Sequence, residues 1–403
     1  MDNEVPWNRQ RLRSNNERLL LDHLRATGPT SRAQLARDTG LSKPTVSHAL
    51  AALEEHGLVR AAGKVAAERG RTALLYEPDP TAGYVLGIDI GRARLRAAVA
   101  DLSGEILART DVPNRERTAT AVADAAAQAA EQALDLAGIP AEQVIHAAIG
   151  TPGVFDPEDG RVRYAVNLPG WGRAGLFTRI RERLGEPELS VHNDANLAAL
   201  GEYDLGAGQG SRLFVYVLIG TGLGVGIVSQ GELFAGAHGA AGELGFLPVS
   251  FTAPEPAPGM RPSPATEAHR RGELEEAVSA DAVVRAARDR GLRGRLTAKR
   301  VFEEARAGNP AAVGAVQQEG DRIAHVVAAI SAVLDPDVVV LGGGVGHGAD
   351  LLLDPVRDAL HKTTPLHPRL VASELGDDAV LLGALTTALR VARPQVFDRR
   401  SEQ

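Results

Sequence analysis

Residues 189–202 constrain this chain more than any other stretch. A short apolar run, Leu189-Ser190-Val191-His192, passes directly into the polar tetrapeptide Asn193-Asp194-Ala195-Asn196. A helical pattern, Leu197-Ala198-Ala199-Leu200-Gly201-Glu202, follows at once. A strand that ends in polar residues and opens a helix indicates an α/β sheet, and it sets a carboxylate and two amides at the mouth of a cleft. From there Asp194 could take a proton from a bound hydroxyl or hold that hydroxyl by hydrogen bond. It could equally do no more than cap the helix behind it.

Other strand ends repeat this pattern. Tyr84–Ile90 is apolar apart from Gly87 and Asp89, and reaches Gly91. Val144–Ile149 ends in Gly150-Thr151-Pro152-Gly153, and Val338–Leu341 ends in Gly342-Gly343-Gly344. Strand-like runs over Leu95–Asp101 and Glu105–Thr110 flank a Ser103-Gly104 turn, and an Ala-rich helix is expected over Thr118–Ala137. Phe214–Ile219 leads into Gly220-Thr221-Gly222-Leu223-Gly224-Val225-Gly226. Glycine at every second position indicates a hairpin whose backbone is approached closely, or one that only lets a neighbouring element pack. Residues 250–271 read as a Pro- and Ala-rich loop. Helices dominate from Ala280 to Val333, and a last helix is expected near Leu382–Arg390.

The first 80 residues differ in kind. A helix over Asn16–Thr27 has Leu19, Leu20 and Leu24 on its apolar side, and Gly28-Pro29 ends it. Ser31 caps a short helix containing Ala33, Leu35 and Ala36; Thr39-Gly40-Leu41 turns the chain. Ser42 caps a third helix that has Pro44 in its first turn and Val46, Leu50 and Leu53 inside. Helix, short helix, Gly-containing turn, helix is the helix-turn-helix plan. The alternative for such a segment is a three-helix protein-interaction module. Ser42, Lys43, Thr45, Ser47 and His48 face outward at the front of the third helix, with Arg32 nearby, and suit phosphates and base edges in a major groove. Leu58–Arg60 and Ala73–Tyr76 read as two strands of a wing around a basic loop holding Lys64, Arg69 and Arg71. Pro78-Asp79-Pro80 is the expected linker.

Charge divides the same way. Residues 1–77 contain 12 Lys+Arg against 9 Asp+Glu, while the remainder carries 32 against 42. A basic head on an acidic body implies that only the head meets nucleic acid. At 403 residues the chain has room for two or three domains. It contains no Cys, which excludes disulfides and thiolate metal ligands. No apolar run reaches the roughly 18 residues of a membrane helix, and the acidic N-terminus leads into no secretory signal, so a cytoplasmic location is expected.

Together these motifs resemble the ROK family of sugar kinases and sugar-responsive repressors. The resemblance rests on the head, Ile149–Gly153, Asn167-Leu168-Pro169-Gly170-Trp171, Asn193–Asn196, Gly220–Gly224, Gly242-Glu243-Leu244-Gly245 and Gly342–Gly344. It implies a winged helix-turn-helix over residues 1–80 and a two-lobed, actin- and hexokinase-like (ribonuclease H-like) α/β body over 81–403. Lobe 1 would span about 81–195 plus the C-terminal helix, and lobe 2 about 196–380. The family's sugar-binding positions map to Gly153, Asn167, Asn193, Asp194 and Glu243. Its Gly-Cys-Leu-Glu run maps to Gly272-Glu273-Leu274-Glu275, which makes Glu275 a further candidate.

Two departures from the family pattern carry weight. The family's structural zinc is held by one His and three Cys, whose positions here are Phe246, Thr266, Ala268 and Glu273. The zinc is therefore expected to be absent, and Phe246 is expected to meet the sugar in place of the His. The kinase phosphate loop Asp-x-Gly-Gly-Thr becomes Asp89-Ile90-Gly91-Arg92-Ala93, which argues against ATP. The expectation is a DNA-binding regulator, most simply a repressor, that responds to a sugar or sugar phosphate as a homodimer or dimer of dimers. The alternatives are an ATP-dependent sugar kinase carrying a DNA-binding head, and a regulator that answers to a protein partner.

Overall fold

The structure, a computed structural model, describes residues 9–66, 72–165, 168, 170–249 and 272–401. Arg69, Arg71, Asn167, Thr266 and Ala268 lie outside the described residues. Among the described residues no helix is long and apolar enough to cross a membrane.

The head holds α1 (Arg9–Thr27), β1 (Thr30–Ser31), α2 (Arg32–Thr39), α3 (Lys43–Glu55), β2 (Val59–Ala66) and β3 (Thr72–Pro78). Ser31 accepts the Gln34 amide and caps α2, and Ser42 accepts the Thr45 amide and caps α3. Between them Gly40 takes the left-handed conformation, φ 70°, that closes α2. Leu20, Leu21, Leu24, Leu35, Val46, Leu50 and Leu53 form the core. The inward stripe of α1 is thus 20, 21 and 24; Leu19, expected inside, is exposed. Both wing strands run longer than their apolar residues suggested. Lys64 consequently lies on β2, opposite Leu74, and not in a loop. A third strand goes unread in the sequence: β1 pairs with β3, Thr30 opposite Tyr76.

The body contains two five-stranded sheets built on one plan. In the first, β4 (Tyr84–Ile90), β5 (Arg94–Asp101) and β6 (Ile106–Pro113) form an antiparallel meander. Here β7 (Val144–Thr151) joins β4 in parallel, and β10 (Glu188–Asn193) joins β7; β8 (Val154–Asp156) and β9 (Arg161–Arg163) form a separate hairpin. In the second, β11 (Leu213–Ile219), β12 (Leu223–Ser229) and β13 (Glu232–Leu233) form the meander. The parallel strands there are β14 (Val338–Gly342) and β15 (Arg369–Ala372). Helices α4 (Ala119–Ala137) and α5 (Leu176–Arg183) serve the first sheet. The second packs against α7 (Glu273–Val278), α8 (Ala280–Asp289), α9 (Ala298–Arg306), α10 (Pro310–Leu334) and α11 (Ala349–Thr363).

Two helices lie between the sheets: α6 (Asp194–Leu205) and α12 (Ala379–Ser401). The alternating glycines of β12 are what let α6 approach. A Cβ on Gly224 would come within 2.8 Å of the Ala195 Cβ, and one on Gly226 would strike the Ala195 carbonyl. The two helices then cross with almost nothing between them, since a Cβ on Gly383 of α12 would strike the Leu197 carbonyl of α6.

Beyond the expected Arg390, α12 continues through Pro394 to Ser401 and reaches the head. Arg18 of α1 stacks on the buried Phe397 ring, 5.0 Å from its centroid, and pairs with Asp398. Arg400 donates to the carbonyls of His56 and Gly57 at 3.0 and 3.1 Å, and to that of Ala82 at 2.6 Å. The expected linker is itself structured: Asp79 donates its amide to Leu58 and accepts the Thr81 amide.

Candidate functional site

The C-terminal ends of β10, β11 and β14 meet at a cavity of about 190 Å³ between the two sheets. Its wall includes Gly153, Asn193, Asp194, Glu243, Phe246 and Glu275. The structure therefore brings together every described member of the sugar-site set read from the sequence.

The cap of α6 is identified at the end of β10. Asn193, in extended conformation, accepts the Asn196 amide at 3.2 Å and is the cap of α6. Its side-chain amide donates to the Gly153 carbonyl at 3.1 Å, which ties the Gly150–Gly153 loop to the same helix end. Asp194 is the first helical residue and is left facing the cavity; within the chain, the Ala195 amide donates to it at 2.8 Å. Burial pushes the Asp194 carboxyl up to about 6, against the pull of that amide. Glu243 is pushed to about 7 by burial and then by the charges of Asp194 and Glu275. Glu275 stands buried in the first turn of α7, while its neighbours Glu273 and Glu276 are exposed. Close packing accompanies it: a Cβ on Gly245 would come within 3.2 Å of the Glu275 Cβ, and one on Gly272 would strike the Gly245 carbonyl. Three carboxyls that share one cavity offer acceptors for several hydroxyls, each oxygen taking more than one.

Tyr164 is the wall residue that the sequence did not announce. It follows β9 with φ 62°, rare for a bulky residue, and meets Phe246 edge to face with ring centroids 5.4 Å apart. Phe246 has no lone pair to give a metal, and Glu273 accepts the Val249 amide at 3.1 Å.

At the end of β4, Asp89 is almost wholly buried. Arg96 donates to it at 2.9 Å and lies 3.5 Å from Asp111. Burial pushes the Asp89 carboxyl up and Arg96 opposes that shift. Arg92, singled out in the sequence, is exposed. The sequence did contain the signal for Arg96, because a tight β4–β5 hairpin sets position 96 directly opposite 89.

On the head, Ser42, Lys43 and His48 are exposed at the front of α3, while Thr45 and Ser47 are half-buried. Ser42 and Thr45 hydroxyls are 2.8 Å apart, so these two order each other. Lys64, on the wing strand, is exposed. Arg32 is engaged within the head: its guanidinium lies over the Tyr76 ring at 4.9 Å and donates to the Tyr76 hydroxyl.

Known proteins share both halves of this arrangement. The ROK family model matches residues 85–391, and the model of the IclR helix-turn-helix domain matches residues 19–63. A glucokinase of Halalkalibacterium halodurans is 30% identical over 74% of this chain and 93% of its own length. A xylose repressor of Caldicellulosiruptor bescii is 25% identical over 94% of this chain and 96% of its own. The crystal structure of a ROK family transcriptional regulator, a homolog of the E. coli MLC protein, superposes with TM-score 0.73 at 23% identity, covering 97% of this chain and 100% of that one. At that identity the likeness is one of fold.

Proposed function

This chain belongs to the ROK family, and from that premise we propose that it is a DNA-binding transcriptional regulator, a repressor in the simplest case, whose cleft senses a sugar. One observation carries the reading. A single chain combines an exposed polar front on α3 with a cavity walled by Asp194, Glu243 and Glu275. The xylose repressor relative spans head and body alike, whereas the glucokinase relative covers only about three quarters of the chain.

In this reading Lys43, Thr45, Ser47 and His48 meet bases and phosphates in a major groove, with Ser42 and Lys64 contributing backbone contacts. Asn193, Asp194, Glu243 and Glu275 take the sugar hydroxyls, and Gly153 and Phe246 shape the walls. No zinc is required, and metal analysis of the purified protein should find none. Two copies, or two pairs, present their heads to half-sites about 34 Å apart.

The second reading, a sugar kinase, draws support from the glucokinase relative. Asp194 would then be the general base, and its raised pKa suits that role. Against it stands Arg96, whose guanidinium already neutralises Asp89, the carboxylate that opens the phosphate loop. Arg96 leaves that carboxylate little to offer a nucleotide-bound cation. The test is to select duplexes from a random library with the full chain, then titrate the complex with sugars, with and without ATP. Sequence-specific binding that shifts with sugar alone is expected. Failure to enrich any sequence would end the regulator reading, and ATP-dependent sugar phosphorylation would establish the kinase.

A further inference from the structure

The cavity has two chemically different halves. Its floor is polar, with Asn193, Asp194, Glu243 and Glu275 all able to accept hydroxyls. Its rim is aromatic. Tyr164 and Phe246 wall the same cavity, yet remain 48% and 44% exposed. Aromatic rings left this open contribute little to a core, and an exposed apolar pair beside a pocket marks a contact surface.

The rim is also held in register with the floor. Asn193 donates to the Gly153 carbonyl at 3.1 Å. A Cβ on Gly153 would strike the Arg163 carbonyl and come within 3.0 Å of the Ala165 amide. The residues on both sides of Tyr164 therefore press on the loop that Asn193 holds. Tyr164 itself keeps φ at 62°, a conformation that costs a bulky side chain energy and that recurs where a side chain must point at a ligand. Its ring is fixed against Phe246 at an interplanar angle of 64°.

We infer that the natural ligand is a glycoside or short oligosaccharide and not a free monosaccharide, with the Tyr164–Phe246 pair receiving the group joined to the bound sugar ring. This rests on the sugar-sensing reading above. One ring places its hydroxyls on the carboxyl floor. The attached group, a second sugar ring or an apolar aglycone, lays a C–H face on the aromatic rim, where an open mouth lets it extend into solvent. A lone monosaccharide on the floor leaves that rim unfilled.

The test uses the full-length protein and calorimetry. Glucose and xylose are each titrated as the free sugar, as both phenyl glycoside anomers and as the β-1,4 disaccharide. One of the glycosides or disaccharides is expected to bind about tenfold more tightly than its free sugar. Tyr164→Ala should collapse that ratio towards one, and Tyr164→Phe, which keeps the ring, should retain it. Free sugars that bind as tightly as every glycoside would overturn the inference while leaving the sensing site standing. So would a Tyr164→Ala variant that loses affinity equally for both, because the rim would then touch the first ring. If no carbohydrate of either kind binds, the sensing reading itself fails.

Discussion

Replacing Asp194 by Asn should act in two opposite directions at once. The side chain keeps its size and loses its charge. In the free protein, the folded carboxyl titrates at about 6 against an ordinary value of 3.8. A pKa raised by folding means the ionised form is disfavoured in the native state, so stability is full at low pH and is lost as pH rises through about 6. The shift corresponds to about 3 kcal/mol at neutral pH, and water in the open cleft reduces this to roughly 1–3 kcal/mol. Asp194→Asn removes the ionisable group, so the sugar-free protein should be more stable by that amount at pH 7.5 and unchanged near pH 4. Sugar binding should move the other way. The ionised carboxylate makes charge-assisted hydrogen bonds worth about 1.5–3 kcal/mol each, and a neutral amide makes weaker ones. Affinity should therefore fall about tenfold to a hundredfold at pH 7.5, and the variant and wild type should converge near pH 5. Urea unfolding of the free protein at the two pH values and calorimetry with the tightest-binding carbohydrate supply both readings. A variant no more stable than wild type at pH 7.5, or one with undiminished affinity there, would refute the placement of an ionised Asp194 on the ligand.

Wild-type carbohydrate affinity should itself rise between pH 5 and pH 7.5, since Asp194 at about 6 and Glu243 at about 7 accept hydroxyls more strongly once ionised; a flat profile would contradict it. Lys43→Ala and His48→Ala should change which DNA sequences are selected. Lys64→Ala should weaken all sequences alike and lower the salt slope by about one, and a sequence-dependent effect there would reassign the wing. Gly383→Ala should lower stability by about 1–3 kcal/mol in urea, because its Cβ has nowhere to go but the Leu197 carbonyl. An unchanged midpoint would mean that α6 and α12 do not cross as closely as described.

Much of this fold could be read from punctuation in the sequence. Ser31, Gly40 and Ser42 mark the turns of the head because capping and left-handed geometry are local requirements. Polar residues at the end of β10 gave the cleft for the same reason, but which of Asn193 and Asp194 caps the helix depends on one residue of phase. That phase is fixed by packing against β12. Glu275 illustrates the limit: three glutamates share one helical turn, and the one that is buried is the one packed against Gly245. The end of α12 was under-read because proline ordinarily stops a helix. Val396 and Phe397 make sense as helix only once the head lies beside them. Tyr164 had no signal at all, since its importance comes from a backbone angle and a partner 82 residues away, Phe246.

The contact of α12 with the head also has a bearing on how the protein is made. Arg400 closes on His56, and the two are separated by 344 residues of chain. At ribosomal rates of about 5–20 residues per second, roughly 20–70 s pass between synthesis of the one and of the other. During that interval Arg18, the His56–Gly57 carbonyls and the apolar ledge that receives Phe397 all lack their partners. The contacts that α12 makes with the head are therefore formed only after the 344 residues between His56 and Arg400 have been made. Until then α3 rests on the head's own core of Leu20, Leu24, Leu35, Val46, Leu50 and Leu53, and the carbonyls that follow it wait for Arg400.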